Sequence, residues 1–408
     1  MKTLIRTIVV LTFALVAVVP FQVQAQDGGG MGAWDGCPVP ENLPEEVTIG
    51  AVFGLSGNIA AYGEPQKRGV ELAVAEINEA GYLGEGTTLI AVFEDGGSDG
   101  EASIAAMDKL IAENELAAVI GPTLSAQAFA ADPIAAENGV VVLGVSNTAA
   151  GLTTMNEDEE LDQFIFRNSL PEANVIPNTI TKSTEILGLE RVGVIYGNDD
   201  DFTLSGYDAF ADALEASEVE VVRTETFARG DVDFSPQLTN IINDDPDAIV
   251  VSALIAEAVP VVLQARQLGY TGPIIGGNGF NSPALFAQGG EAAEGVIVGA
   301  AWNIGSPSEL SVTFTETFTE AYGAAPDQFA AQAYTGAWLV ATAIRCADSA
   351  DSADVREALA AIVDYPTPLG SFSFDETRNP VHEPVVQIVQ EGMFKLLTEE
   401  TAAQAFGE

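Results

Sequence analysis

The stretch VTIGAVFGLSGN, positions 47–58, runs from a buried-strand pattern (Val47–Phe53) into a tight turn built on Gly54, Ser56 and Gly57. A helix pattern follows from Pro65 to Ala80, with Val70, Ala73, Val74 and Ile77 on one face and Gly81 as its stop. A short apolar run that turns into an amphipathic helix is one unit of a parallel sheet, because parallel strands need a crossover to return. The unit recurs. Strands are expected at Thr88–Glu94, Ala117–Ile120 and Val140–Val145, with helices at Glu101–Glu113 and from about Ser125. After an acidic loop and the run Phe164–Phe166 the alternation restarts, with helices at 174–187, 204–216, 234–243 and 256–268 and strands at 191–196, 219–224, 247–252 and 273–275. The fold class is therefore α/β, with two similar lobes built on parallel sheets. Beyond Val296–Ala301, helices at Glu309–Tyr322, Gln328–Asp348 and Ser352–Ile362 lead to Phe372–Phe374 and a hairpin of Val385–Val389 with Met393–Leu396. A chain that makes one lobe, then the other, then returns must cross between them more than once.

Acidic residues number 60 against 15 basic ones, a net charge of −45, which removes nucleic acid and anionic membrane surfaces as partners. A single histidine, His382, and two cysteines leave no material for most zinc sites or iron–sulfur clusters, so no metal or cofactor is expected. His382 stands between Val381 and Glu383 and reads as a surface residue of a second-lobe loop. Without it no nucleophile–base pair can be assembled. A secreted α/β hydrolase, the rival from another class, would have to build its triad on His382 and a serine. Neither Gly54–Asn58 nor Gly276–Gly279 completes a phosphate loop or dinucleotide fingerprint. The expectation is a protein that catalyses no reaction.

Lys2 and Arg6, the apolar run Ile8–Phe21 and Val23-Gln24-Ala25 form a secretion signal, residues 1–25, with cleavage before Gln26. Cys37 is a poor lipoprotein cysteine because Asp35 puts a charge where a small apolar residue is wanted. Residues 26–46 form a Gly- and Pro-rich extension. Export places the mature chain in the periplasm or on the extracellular face, an oxidising setting in which Cys37 and Cys346 are the only candidates for a disulfide.

Gly121-Pro122-Thr123-Leu124-Ser125 lies between a short buried strand and an apolar helix, where the Ser125 hydroxyl and the first-turn amides can meet an anion or simply cap the helix. Ser146-Asn147-Thr148 ends the next strand, and neighbouring strand ends of a parallel sheet face one crevice. Together with Gly54–Gly63, Gly69–Asn78, Val119–Ser125, Gln264–Gly269 and Gly276–Phe280, these motifs resemble the type I periplasmic solute-binding proteins of ABC importers, in their leucine/isoleucine/valine-binding branch. The resemblance covers nearly all of residues 47–397 and implies two Rossmann-like lobes joined by a three-crossover hinge. Crossovers are expected at Arg167–Asn168, Gly299–Ala301 and Phe372–Phe374. Lobe one is then 47–167 plus 301–372, and lobe two 168–300 plus 373–400.

The resemblance also implies a site. Ser125 and Thr148, with backbone groups of Ser146, match positions that hold an amino acid's α-carboxylate; Tyr62, Phe202 and Tyr334 match pocket aromatics, and Trp302 is a looser candidate. On residue pattern alone Tyr334 fits a helix core as well as a pocket. Asn278 departs from the family pattern, standing where amino-acid binders carry an acid against the ligand's ammonium. A neutral amide cannot supply that charge, so zwitterionic leucine is expected to bind weakly. The implied function is capture of a small polar or carboxylate-bearing molecule for ABC permease subunits, by a monomer; a sensing subunit of a signalling system is the alternative on the same fold.

Overall fold

A computed structural model describes residues 36–407; the secretion signal and the first ten residues of the N-terminal extension lie outside the described residues. Five parallel strands form the first sheet in the order β2-β1-β3-β4-β5: β1 Glu46–Phe53, β2 Thr88–Asp95, β3 Leu116–Ile120, β4 Val142–Gly144 and β5 Ile165–Arg167. The second sheet contains β6 Arg191–Gly197, β7 Glu220–Phe227, β8 Ala248–Ser252, β9 Ile274–Gly276 and β10 Val296–Ala300, all parallel where they pair. Every residue of β3 and of β8 is buried, as strands covered by helices on both faces require. In each sheet the strand order reverses about the first strand, at β1/β3 and at β6/β8, which opens a crevice at the carboxyl ends. The two crevices face each other.

The helix Gln328–Ala347 is buried along nearly its whole length in the first lobe, packed against the helix Ala60–Glu79. Their contact depends on Gly69, where a Cβ would lie 2.4 Å from the Ala330 carbonyl oxygen. The expected disulfide is present: Cys37 and Cys346 are joined with their Cα atoms 5.1 Å apart, fastening the N-terminal segment to the end of that helix.

The chain leaves the first sheet after Arg167 and the second after Ala300, but the third passage differs from expectation. A small sheet of β11 Tyr365–Thr367, β12 Gly370–Phe374 and β13 Pro380–Val381 keeps Phe372 and Phe374 in the first lobe's core. Arg167 donates its backbone N–H to the Arg378 carbonyl at 3.2 Å, holding this segment on the first lobe. Only with β14 Val385–Gln390, antiparallel to β10, and β15 Met393–Leu396 does the chain rejoin the second sheet. The alternating run Gly370–Phe374 reads as a strand but carries no mark of which sheet it serves. The final helix, Glu399–Phe406, also packs on the second lobe, beyond the expected boundary at 400. His382 follows β13 with its ring 6.2 Å from Phe372, so it is no free loop residue. Both ring nitrogens are inaccessible although the residue as a whole is half-buried, and burial pushes its pKa down to about 4.

Candidate functional site

The facing crevices meet in a small closed cavity lined from lobe one by Tyr62, Thr123, Leu124, Ser125, Ser146 and Phe329, and from lobe two by Phe202, Leu254, Asn278 and Gly279. Each follows a strand end or opens a helix, which is where parallel sheets present ligand groups. The space measures about 20 Å³, room for little more than a water. A solute can therefore enter only when the lobes part. Direct bonds hold them together: Tyr62 Oη donates to the Gly279 carbonyl at 2.7 Å and accepts from the Ile255 amide at 2.6 Å, and Asn278 Nδ2 donates to the Ser146 carbonyl at 3.3 Å. The Tyr62 ring also packs on Phe329, 4.7 Å between centroids.

Ser125 opens the helix Ser125–Glu137 and is buried; its Oγ accepts the backbone N–H groups of Thr148 (3.2 Å) and Ala149 (3.1 Å). With both lone pairs taken, the hydroxyl hydrogen is left to donate, which suits a carboxylate or carbonyl oxygen. Ser146 Oγ is engaged inside lobe one, accepting from Gln66 and donating to the Thr123 carbonyl. Thr148 turns its hydroxyl toward Glu172 (3.3 Å), not toward the cavity.

Glu172 is the residue that sequence reasoning missed. It begins the helix Glu172–Leu187, is 1% exposed, and its Oε1 accepts the Asn278 backbone N–H at 2.9 Å. Its Oε2 has no hydrogen-bond partner among the described residues, and burial lifts the carboxyl to about 7 against the opposing bonds from Asn278 and Thr148. A buried carboxylate with an open acceptor thus sits one layer behind the neutral Asn278. Nothing local in the sequence marks it, since Glu in a helix's first turn is ordinarily a partner of the helix dipole.

Two expected aromatics lie elsewhere. Tyr334 is in the first lobe's core with its hydroxyl on Glu76 Oε2, and Trp302 donates its indole N–H to Ser311 Oγ at 2.8 Å, outside the cavity. Phe329 occupies the aromatic place given to Tyr334, more than one turn earlier on the same helix; both face inward on an apolar helix, so periodicity could not separate them. Phe202 does line the cavity, its helix start capped by Asp200.

Residues 46–392 match the family profile described as periplasmic binding protein. The chain is 28% identical to the Leu/Ile/Val-binding protein BraC3 of Rhizobium johnstonii over 81% of its own length and 88% of the relative's. Among solved structures, the leucine-binding protein LivK of Thermotoga maritima superposes with a TM-score of 0.80 at 27% identity, covering 86% of this chain and 98% of the other. The branched-chain amino acid transporter substrate-binding protein LivJ of Streptococcus pneumoniae, solved with isoleucine, gives 0.79 at 30% identity with the same coverage of both chains.

Proposed function

The chain belongs to the periplasmic binding protein family, type I, as a solute-binding protein of ABC transport, and from that premise we propose that its solute is an α-amino acid with an apolar side chain. The observation that carries this reading is a cavity wall with the Ser125 hydroxyl on one lobe and Asn278 on the other, backed by the buried Glu172 carboxyl that accepts the Asn278 amide. Ser125 and the first-turn amides of its helix hold the carboxylate, and Glu172, reached past Asn278, balances the ammonium. Tyr62, Leu124, Phe202, Leu254 and Phe329 enclose the side chain. The neutral Asn278 no longer argues against an ammonium once Glu172 stands behind it. A cation beside that carboxyl favours its ionised form, offsetting the burial that lifts it. The relatives that carry leucine and isoleucine/valine in their names support the same class. Secretion by residues 1–25 delivers the chain outside the cytoplasm, where it works as a monomer, passes its solute to permease subunits and catalyses no reaction.

A thermal-shift screen of the mature protein against amino acids, their amides, short-chain acids and sugars tests this. A ligand at a hundred times its dissociation constant adds about 2.7 kcal/mol. Apolar amino acids should give the largest shifts. Equal shifts from acids that lack an ammonium overturn the amino-acid reading and leave a carboxylate binder.

A further inference from the structure

A second cavity, of about 320 Å³, lies apart from the cleft and is walled by both lobes. Its apolar side is made by Phe286, Trp302, Phe394 and Met393, with Phe286 and Phe394 edge to face at 5.2 Å. Its polar side is a set of amides bonded to one another. Asn303 Nδ2 donates to Gln387 Oε1 (2.7 Å), Gln387 Nε2 to Asn281 Oδ1 (2.7 Å), Asn281 Nδ2 to the Gly299 carbonyl (2.9 Å) and Gln328 Nε2 to Asn278 Oδ1 (2.7 Å). Both amide hydrogens of Asn281 and of Asn303 are engaged, Gln387 and Gln328 each keep one, and the Trp302 indole N–H is spent on Ser311. The carbonyl oxygens keep spare lone pairs, so the wall offers acceptors more readily than donors. Among the described residues, Asp327 is the only charged one lining the space. It is buried, and one carboxylate oxygen caps the Ala330 amide at 2.9 Å.

We propose that this cavity is a second ligand site, one that takes a small organic cation: an amine with an apolar, preferably aromatic, body. The ammonium pairs with Asp327 and the spare carbonyl oxygens, and the body lies among the aromatic rings, which attract a cation through their faces. An anion meets a carboxylate and few free donors, on a chain of net charge −45. The site is distinct from the cleft, since the two linings share no residue and meet through one hydrogen bond, Gln328 to Asn278.

Calorimetric titration of the mature protein with phenethylamine tests the proposal. The wild type should bind it with a dissociation constant below about 1 mM. Ala325 is an exposed residue on the cavity's rim, so Ala325→Trp fills the space without touching the core and should abolish binding. Asp327→Asn retains a helix-capping side chain but not the charge, and should weaken binding at least tenfold. Glu172→Gln, which alters the cleft alone, should leave it unchanged. Loss of binding in Glu172→Gln with retention in Ala325→Trp would place the amine in the cleft and overturn the second site. No heat with wild type up to about 10 mM, or equal affinity for uncharged 2-phenylethanol, would overturn it too.

Discussion

Glu172 of the second lobe accepts the backbone N–H of Asn278 at 2.9 Å and the hydroxyl of Thr148, from the first lobe, at 3.3 Å. One carboxylate thus touches both halves of the trap at the base of the cleft. On the proposed reading its position lets a site with a neutral residue at 278 serve a zwitterion, and it makes the unliganded protein sensitive to pH.

Burial holds the Glu172 carboxyl at about 7, above its ordinary 4.5. The folded protein therefore binds a proton where the unfolded chain has released it. By linkage this group's contribution is fully present below about pH 4.5 and is lost as pH rises through 7, an effect on the order of 3 kcal/mol across the span. Asp327 is pushed the same way, also to about 7, by its own burial. The unliganded melting temperature should fall between pH 5 and 8, and Glu172→Gln should flatten part of that slope. A melting temperature that rises over this range contradicts the assignment.

Arg229 fastens the mouth of the closed cleft: its guanidinium donates to the Ser98 carbonyl of the opposite lobe and lies 3.7 Å from Asp200. The cross-lobe bond exists only when the lobes meet. Arg229→Ala should speed ligand dissociation roughly tenfold, the worth of one charge-assisted hydrogen bond, with association little changed. Stopped-flow fluorescence reads both rates, and an unaltered dissociation rate removes Arg229 from closure.

The Cys37–Cys346 bridge closes a long loop, for which chain-entropy arithmetic suggests on the order of 5 kcal/mol. Cys37 precedes β1, however, and its segment is held mainly by Arg345, which donates to the Cys37 carbonyl, and by Asp348, which accepts the amides of Glu41 and Asn42. Replacing both cysteines by serine should cost only about 1–2 kcal/mol, measured by denaturant unfolding. Two titratable thiols in denatured, unreduced protein would contradict the bridge itself.

Sixty acidic residues against 15 basic ones leave most carboxylates without a cationic neighbour, and at low ionic strength they repel over distances longer than 10 Å. The melting temperature should rise between about 0.01 and 1 M salt as this repulsion is screened. A flat or falling curve would show the charges to be compensated already.

Strand and helix positions were legible in the sequence because buried parallel strands are continuous apolar runs: Val47–Phe53 and 247–252 differ from their observed limits by one residue. Ser125 and Asn278 were legible because glycine-marked turns at strand ends locate a crevice. What the sequence concealed depended on which lobe a segment joins. Phe372 and Phe374 alternate with polar residues as any strand does, and the choice of sheet is made by pairing with Pro380 and Val381. Thr148 was expected in the cavity, yet its hydroxyl turns to Glu172, a residue 24 positions away whose burial arises from the meeting of two lobes.

The most direct test of the amino-acid reading is calorimetric titration of the mature protein, wild type and Glu172→Gln, with L-leucine and with 4-methylpentanoate, which is leucine without its ammonium. Wild type should bind leucine at least a hundredfold more tightly than the acid, a difference of about 2.7 kcal/mol, and Glu172→Gln should lose most of that preference. Equal affinity of the wild-type protein for the two compounds, unchanged in Glu172→Gln, would contradict the account.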